Sequence, residues 1–341
     1  MASELRWVDV AIPEPRKGEV QIRVVNAGLN RDDVHSAEGT VFGGLPTAPR
    51  PSLKRPRIPG LEFAGTIEAV GPGVQRHQVG DRVFGVVYGT SRIGAMAPFC
   101  CTKASRVHRL PDHWSFEQGA AMAFSGVVAA LAIRTAGDPD GKRCLVVGAS
   151  GNIGGLIVQA LVAAGAKEVV GVCSGATAKH VESLGADHVV DYTQASWGDQ
   201  LPADRAAFDV VYDCVGGRDT EVEALAVLEP DGHLLTLCGP IRHLGGERLS
   251  AADITKAIAY IARRMATSRV RGPHYTFLSG TNPDWVAVQR WLLNPGVVPT
   301  IGKVFPYERE AVADAIGELT TNHTGGKLLV TVNQEEPAEH S

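Results

Sequence analysis

The sequence predicts an α/β protein in which a strand-rich, barrel-like domain accompanies a doubly wound parallel sheet. Three observations carry this. The chain has 341 residues, more than a single hydrophobic core keeps growing to accommodate. Short β-branched runs punctuated by Gly and Pro fill residues 1–122. From residue 123 onward strands and helices alternate. At about 100–200 residues per domain, the length suggests two domains.

The elements follow in order. Val20–Val25 and Gly65–Val70 have the β-branched composition of strands. Between them, Pro46, Pro49, Pro51 and Pro56 stand among Arg50, Lys54, Arg55 and Arg57, which forbids a regular element and predicts a basic surface loop over 40–57. Ala120–Ile133 is the longest apolar stretch. It is shorter than the roughly 18–20 residues of a membrane span and reads as a buried helix. Arg143–Val147, Glu168–Cys173, His188–Val190, Asp209–Asp213 and His233–Leu237 then read as strands, with helices at Ile153–Ala164, Ala178–Leu184 and Thr220–Leu228 between them. Right-handed crossovers lay such units into one parallel sheet. Trp285–Leu293 and Glu308–Leu319 read as helices and Lys327–Val332 as a last strand. The parallel-sheet domain is thus expected over 123–268, with 1–122 and 269–341 forming the other.

Composition excludes several classes. A formal charge of -4, with 21% charged and 44% apolar residues, leaves no basic excess for nucleic acid, and no segment reads as a membrane anchor. The first residues lack a signal core and an Arg-rich transit pattern, so a cytoplasmic location is expected. Cys100, Cys101, Cys144, Cys173, Cys214 and Cys238 form no C-x-x-C pair, which fits reduced thiols.

The most informative motif is Gly148-Ala149-Ser150-Gly151-Asn152-Ile153-Gly154, a turn between an apolar strand and a helix. Glycine lets backbone approach a pyrophosphate, while the helix start offers unpaired N–H groups and the positive end of its dipole. The spacing is G-x-x-G-x-x-G, and a turn of this kind in isolation also serves as plain structure; strand, helix and second strand together favour a dinucleotide. An acid about 20 residues past the glycines would bind the ribose of NAD. That count reaches Ser174, with Lys179 nearby and no carboxylate in the stretch, which favours NADPH. Lys179 read by itself is better explained as a solvated helix residue, so the missing acid carries more weight than the lysine.

Pro59-Gly60-Leu61-Glu62-Phe63-Ala64-Gly65 followed by Val79-Gly80-Asp81-Arg82-Val83 resembles the fingerprint of the medium-chain dehydrogenase/reductase superfamily. With the Gly148 turn, the Leu184–Asp187 to Asp191-Tyr192 run and Gly325-Gly326-Lys327, the resemblance covers nearly the whole chain. It implies a GroES-like catalytic domain interrupted by a Rossmann domain, and a homodimer formed through the Rossmann sheet. Zinc-containing members place ligands at positions corresponding to Asn30, Leu61 and Phe124. None suits catalytic zinc, which takes three N, S or carboxylate ligands, so no metal is expected and Glu62 is left as a structural carboxylate.

The branch resembled most is that of zinc-independent quinone reductases and enoyl reductases. It implies Ser150, Gly151, Asn152 and Ile153 at the pyrophosphate, and Ser174, Lys179 and Tyr192 around the 2′-phosphate and adenine. It further implies Val215, Leu237 and Cys238 along the ribose and nicotinamide, with Phe277 and Leu278 reaching the nicotinamide. Tyr192 is equally readable as a half-buried strand aromatic. Reduction of a conjugated carbonyl builds charge on oxygen and then needs a proton. His35 is the candidate proton donor, with water as the alternative, and Asn30 the candidate donor to the substrate oxygen or to the nicotinamide ribose. An exposed or capping histidine and an Asn N-cap are the competing readings, and Asp33 is expected to pin the turn. The implied activity is NADPH-dependent reduction of a small-molecule quinone or α,β-unsaturated carbonyl. A biosynthetic enoyl reductase and a non-catalytic, crystallin-like NADPH-binding protein are the alternatives.

Overall fold

The computed structural model describes residues 5–37, 40–41, 45–46, 57–87, 94–202, 207–241, 250–278, 283–321 and 324–334. The chain divides into two units. One is built from segments up to Phe124 and from Thr300 onward, the other from Ser125–Pro299 together with Gly43–Leu45.

The first unit opens with β1 (Glu19–Gly28), α1 (Arg31–Ala37), β2 (Glu62–Val70), β3 (Arg82–Val86), β4 (Phe99–Lys103) and β5 (Val107–Arg109). Its centre is β1, where Val20, Ile22 and Val24 are fully buried. Register shifts interrupt its antiparallel pairing with β2 at Gln21/Ile22 and Val24/Asn26, the kind of bulge that bends a strand at a barrel-like corner. The two strands approach closely at Gly65, where any side chain would collide with the carbonyl of Arg23. Most of the basic stretch 40–57 lies outside the described residues.

α2 (Phe116–Ala136) follows. By length and composition it could cross a membrane, yet Ala120–Ala123, Ala129, Ala130, Ala132 and Ile133 are at most 1% exposed, the burial of a core helix.

The second unit comprises β6 (Arg143–Val147), α3 (Asn152–Ala163), β7 (Glu168–Cys173), α4 (Ala178–Ser183), β8 (His188–Asp191), α5 (Trp197–Gln200), β9 (Phe208–Asp213), α6 (Arg218–Val227), β10 (Leu228–Thr236), α7 (Ala251–Thr267), β11 (His274–Phe277) and α8 (Trp285–Trp291). The strands lie in the order β8-β7-β6-β9-β10-β11, every pair parallel. This is the doubly wound Rossmann order. Leu145, Val146 and Val211 on the central strands are fully buried, as strands covered on both faces require.

The unit extends to Pro299, past residue 268 where the sequence pattern ends it. The reason is β11, whose residues His274–Phe277 pair with His233–Thr236 of β10. Four residues on a sheet edge, starting with an exposed histidine, carry no apolar run for a sequence pattern to register.

The chain then returns to the first unit with β12 (Ile301–Pro306), α9 (Arg309–Thr320) and β13 (Lys327–Thr331). β13 pairs antiparallel with β1 and parallel with β12. The sheet therefore reads β12-β13-β1-β2-β3-β5, with β4 also paired to β1. This return places Lys327 beside the end of β1.

The Rossmann core is sensitive to volume at Phe208, a fully buried ring. Phe208→Ala is expected to lower unfolding free energy by about 3–5 kcal/mol, read from the urea midpoint; a loss below about 1 kcal/mol contradicts this packing.

Candidate functional site

The glycine-rich turn leaves the carboxyl end of β6 at the point where strand order reverses, the ligand crevice of doubly wound sheets. Gly148 has φ +75°, a left-handed conformation suited to glycine. The N–H groups of Gly148 and Ala149 both donate to the Val172 carbonyl, at 3.0 and 3.1 Å, which ties the turn to β7. A side chain at Gly154 would strike the Gly148 carbonyl, so helix and turn touch there only because of glycine. α3 opens at Gly151 with no side-chain cap, leaving its first N–H groups to an outside acceptor. Asn152 adds a buried Oδ1 with no partner among the described residues. Uncapped donors, a glycine turn too tight for side chains and an orphaned polar atom together fit a dinucleotide pyrophosphate.

The other cofactor residues expected from the sequence lie at or beside the same carboxyl edge. Ser174 follows β7, its Oγ 3.3 Å from Thr177 Oγ1, and Lys179 is exposed on α4. Tyr192 follows β8, 58% exposed, and donates its N–H to the Cys173 carbonyl at 3.2 Å. Val215 lies against Gly148. Leu237 donates to the Asp213 carbonyl, and Leu278 to that of Thr236, each at 2.9 Å. The thiol of Cys238 sits 3.6 Å from the Cys214 carbonyl, and the Phe277 ring lies beside Gly239.

Two carboxylates at this edge escape sequence reasoning. Asp213 is 3% exposed and accepts from the N–H of Val215 and Gly216 at 2.9 and 2.8 Å and from the Thr236 hydroxyl at 2.7 Å. Burial raises its pKa against those bonds. Asp191 accepts from the Thr193 hydroxyl at 2.7 Å and its N–H at 2.9 Å. Those bonds, the hydroxyl's first, hold its pKa low, and the Gly175 amide contributes as well. The stretch around Ser174 is acid-free in sequence, but the β7–β8 pairing of Cys173 with Asp191 delivers a carboxylate to it. Strand pairing was the signal that a count along the chain could not supply.

In the first unit a second site forms at the end of β1. Asn30 Nδ2 donates to Glu62 Oε1 at 2.7 Å, and Lys327 Nζ donates to Asn30 Oδ1 at 2.7 Å. Lys327 also pairs directly with Glu62. The Phe124 N–H donates to Glu62 Oε2 at 2.6 Å. Glu62 is fully buried, Lys327 1% exposed and Asn30 9% exposed. Asn30 and Phe124, two of the three positions aligned with zinc ligands, thus meet on one carboxylate already neutralised by a lysine, and the third, Leu61, offers its carbonyl to the Val87 N–H at 2.7 Å. Among the described residues, no group of three or more His, Cys, Asp or Glu side chains is placed to hold a metal.

The Asn30 amide bonds Glu62 and Lys327 instead of capping α1, because a buried ion pair offers it stronger, charged partners. Asp33 pins the turn, accepting from the Asn30 N–H at 2.8 Å and the Gly60 N–H at 2.7 Å. His35 lies in α1, and its side chain falls outside what the structure describes.

Burial first, with the Glu62 charge adding to it, lifts the Asp33 pKa to about 7 against its two backbone donors. The folded protein therefore holds a proton at Asp33 that the unfolded chain releases near pH 4. This contribution to stability is full below about pH 4 and is lost as pH climbs through about 7. Asp33→Asn removes that pH dependence and sets an amide donor against a backbone N–H, an expected cost of about 1–3 kcal/mol. Unfolding followed from pH 4 to 8 checks both effects, and an unchanged slope refutes the titration.

Residues 16–112 match the family description "alcohol dehydrogenase GroES-like domain", and residues 184–330 match "zinc-binding dehydrogenase". Among curated proteins, the 2-methylene-furan-3-one reductase of Solanum lycopersicum is 28% identical over 94% of this chain and 74% of its own length. The chloroplastic NADPH-dependent alkenal/one oxidoreductase of Arabidopsis thaliana is 27% identical over 94% and 74%. The mitochondrial NAD(P)H oxidoreductase RTN4IP1 of Mus musculus is 30% identical over 92% and 82%. Among solved structures, a quinone oxidoreductase of Pseudomonas syringae superposes with a TM-score of 0.70 at 26% identity, over 97% of this chain and 96% of that one. A mycobacterial protein complexed with NADPH superposes with a TM-score of 0.72 at 25% identity, over the same shares.

Proposed function

The chain belongs to the medium-chain dehydrogenase/reductase superfamily, and from that premise we propose that it is an NADPH-dependent, zinc-independent reductase of quinones or α,β-unsaturated carbonyl compounds. The observation that carries this reading is the Gly148–Gly154 turn, with its uncapped helix start and unpartnered Asn152 Oδ1. The relatives named for alkenal/one and furanone reduction and the neighbour holding NADPH support it.

Ser150, Gly151, Asn152 and Ile153 would hold the pyrophosphate, and Ser174, Lys179 and Tyr192 would surround the 2′-phosphate and adenine. Val215, Leu237, Cys238, Phe277 and Leu278 would line the ribose and nicotinamide. When bound, NADPH supplies a hydride to the electrophilic carbon of the substrate. The Asn30 amide donates to the oxygen on which negative charge develops, and His35 delivers the proton. The Glu62–Lys327 pair beside Asn30 supports the zinc-independent reading, since it already neutralises the carboxylate there. β11, at one edge of the parallel sheet among the described residues, suits pairing with a second copy, so light scattering should report the mass of two chains.

Two measurements test the reading. After dialysis against a chelator, the protein should oxidise NADPH in the presence of a quinone or a short-chain enone at an undiminished rate; failure with both substrate classes, or loss of rate on chelation, overturns it. Ser174→Asp places a carboxylate where the 2′-phosphate would bind. It should shift the NADPH-over-NADH preference in kcat/KM toward NADH by about tenfold or more, as close like charges do; an unchanged preference removes Ser174 from the cofactor site.

A further inference from the structure

We propose that Glu62 and Lys327 are positioning residues that fix the orientation of the Asn30 amide and sharpen its remaining N–H as a hydrogen-bond donor; this rests on the reductase reading above. An asparagine amide turned by 180° exchanges its oxygen and nitrogen at almost no intrinsic cost. Here the exchange is forbidden. Turned over, Nδ2 would face the Lys327 ammonium and Oδ1 the Glu62 carboxylate, so both 2.7 Å bonds would become donor against donor and acceptor against acceptor. In a pocket where Glu62 is fully buried and Lys327 1% exposed, water cannot relieve either clash.

The carboxylate is held in its own orientation, because its other oxygen accepts from the Phe124 N–H at 2.6 Å; Gly28 leaves it the space to sit there. Of the two amide protons of Asn30, one goes to Glu62 and the other has no partner among the described residues, so fixing the amide plane fixes where that second N–H points. The lysine on Oδ1 draws electron density toward the oxygen and makes that N–H more positive. A buried ion pair is often no more stabilising than an apolar pair of the same size. Orienting and polarising a neutral amide is something an apolar pair cannot do.

The test is a double-mutant cycle on the full-length protein with NADPH and an enone. Lys327→Met should lower kcat by about tenfold to a hundredfold, the scale of a misplaced catalytic group, while the NADPH Kd stays within about twofold. In an Asn30→Ala background the same change should alter kcat by less than about twofold, because there is no amide left to orient. An equal loss in both backgrounds, or an unchanged kcat in folded Lys327→Met, overturns the proposal. If Lys327→Met does not fold, the charge-neutral Glu62→Gln/Lys327→Met pair takes its place in the same cycle with the same outcomes.

A second readout is independent of turnover. The Asn30 side-chain amide, followed by 15N NMR, should show one slowly exchanging proton, the one that Glu62 accepts, and one fast one in the unaltered protein, and two fast ones in a Glu62→Ala/Lys327→Met pair, which removes both partners. Fast exchange of both in the unaltered protein refutes the positioning role. Slow exchange in a protein that reduces no substrate refutes the reductase reading alone.

Discussion

A fully buried carboxylate must find its counter-charge and its hydrogen bonds inside the protein, and three segments of the first unit meet at Glu62 to supply them. Its partners come from the turn after β1, the middle of α2 and the start of β13. Removing one partner from such a pair costs about 3–5 kcal/mol, a large part of the roughly 5–15 kcal/mol that holds a domain together. The return of the chain after Thr300 is therefore an energetic necessity as well as a topological one, since without β13 the carboxylate would be left without its lysine.

The second unit meets the opposite requirement. Its glycine-rich turn leaves backbone N–H groups at a helix start without a side-chain cap, and Gly148 and Gly154 let the turn pack against Val215 and against itself where a side chain would collide. Around that edge Asp213 and Asp191 are consumed in holding backbone and hydroxyl groups.

What could be read from the sequence followed the range of the chemistry. The turn at Gly148 and the strands Arg143–Val147 and Glu168–Cys173 were legible because an apolar run and its adjoining glycines are local. β11 was not, since its edge position asks for no apolar run. The Asn30 cluster was hidden for a different reason: Glu62 is 32 residues away and Lys327 is 297, so only tertiary folding joins them. One clue was present in Lys327, a charge at the head of Leu328-Leu329-Val330, where a buried strand has no place for an unpaired ammonium. Asn30 looked like a helix cap because helix starts favour that residue, and a stronger pair of partners outbid the helix.

The central claim is that this chain transfers hydride from NADPH to the electrophilic carbon of a conjugated carbonyl and takes the second hydrogen from a proton source. A single turnover with NADPH deuterated at the transferable position and a simple enone tests it directly. The account predicts one deuterium on the β-carbon of the product and none on the α-carbon, with the label appearing at the α-carbon only when the solvent is deuterated. Product carrying no deuterium from the cofactor would contradict it.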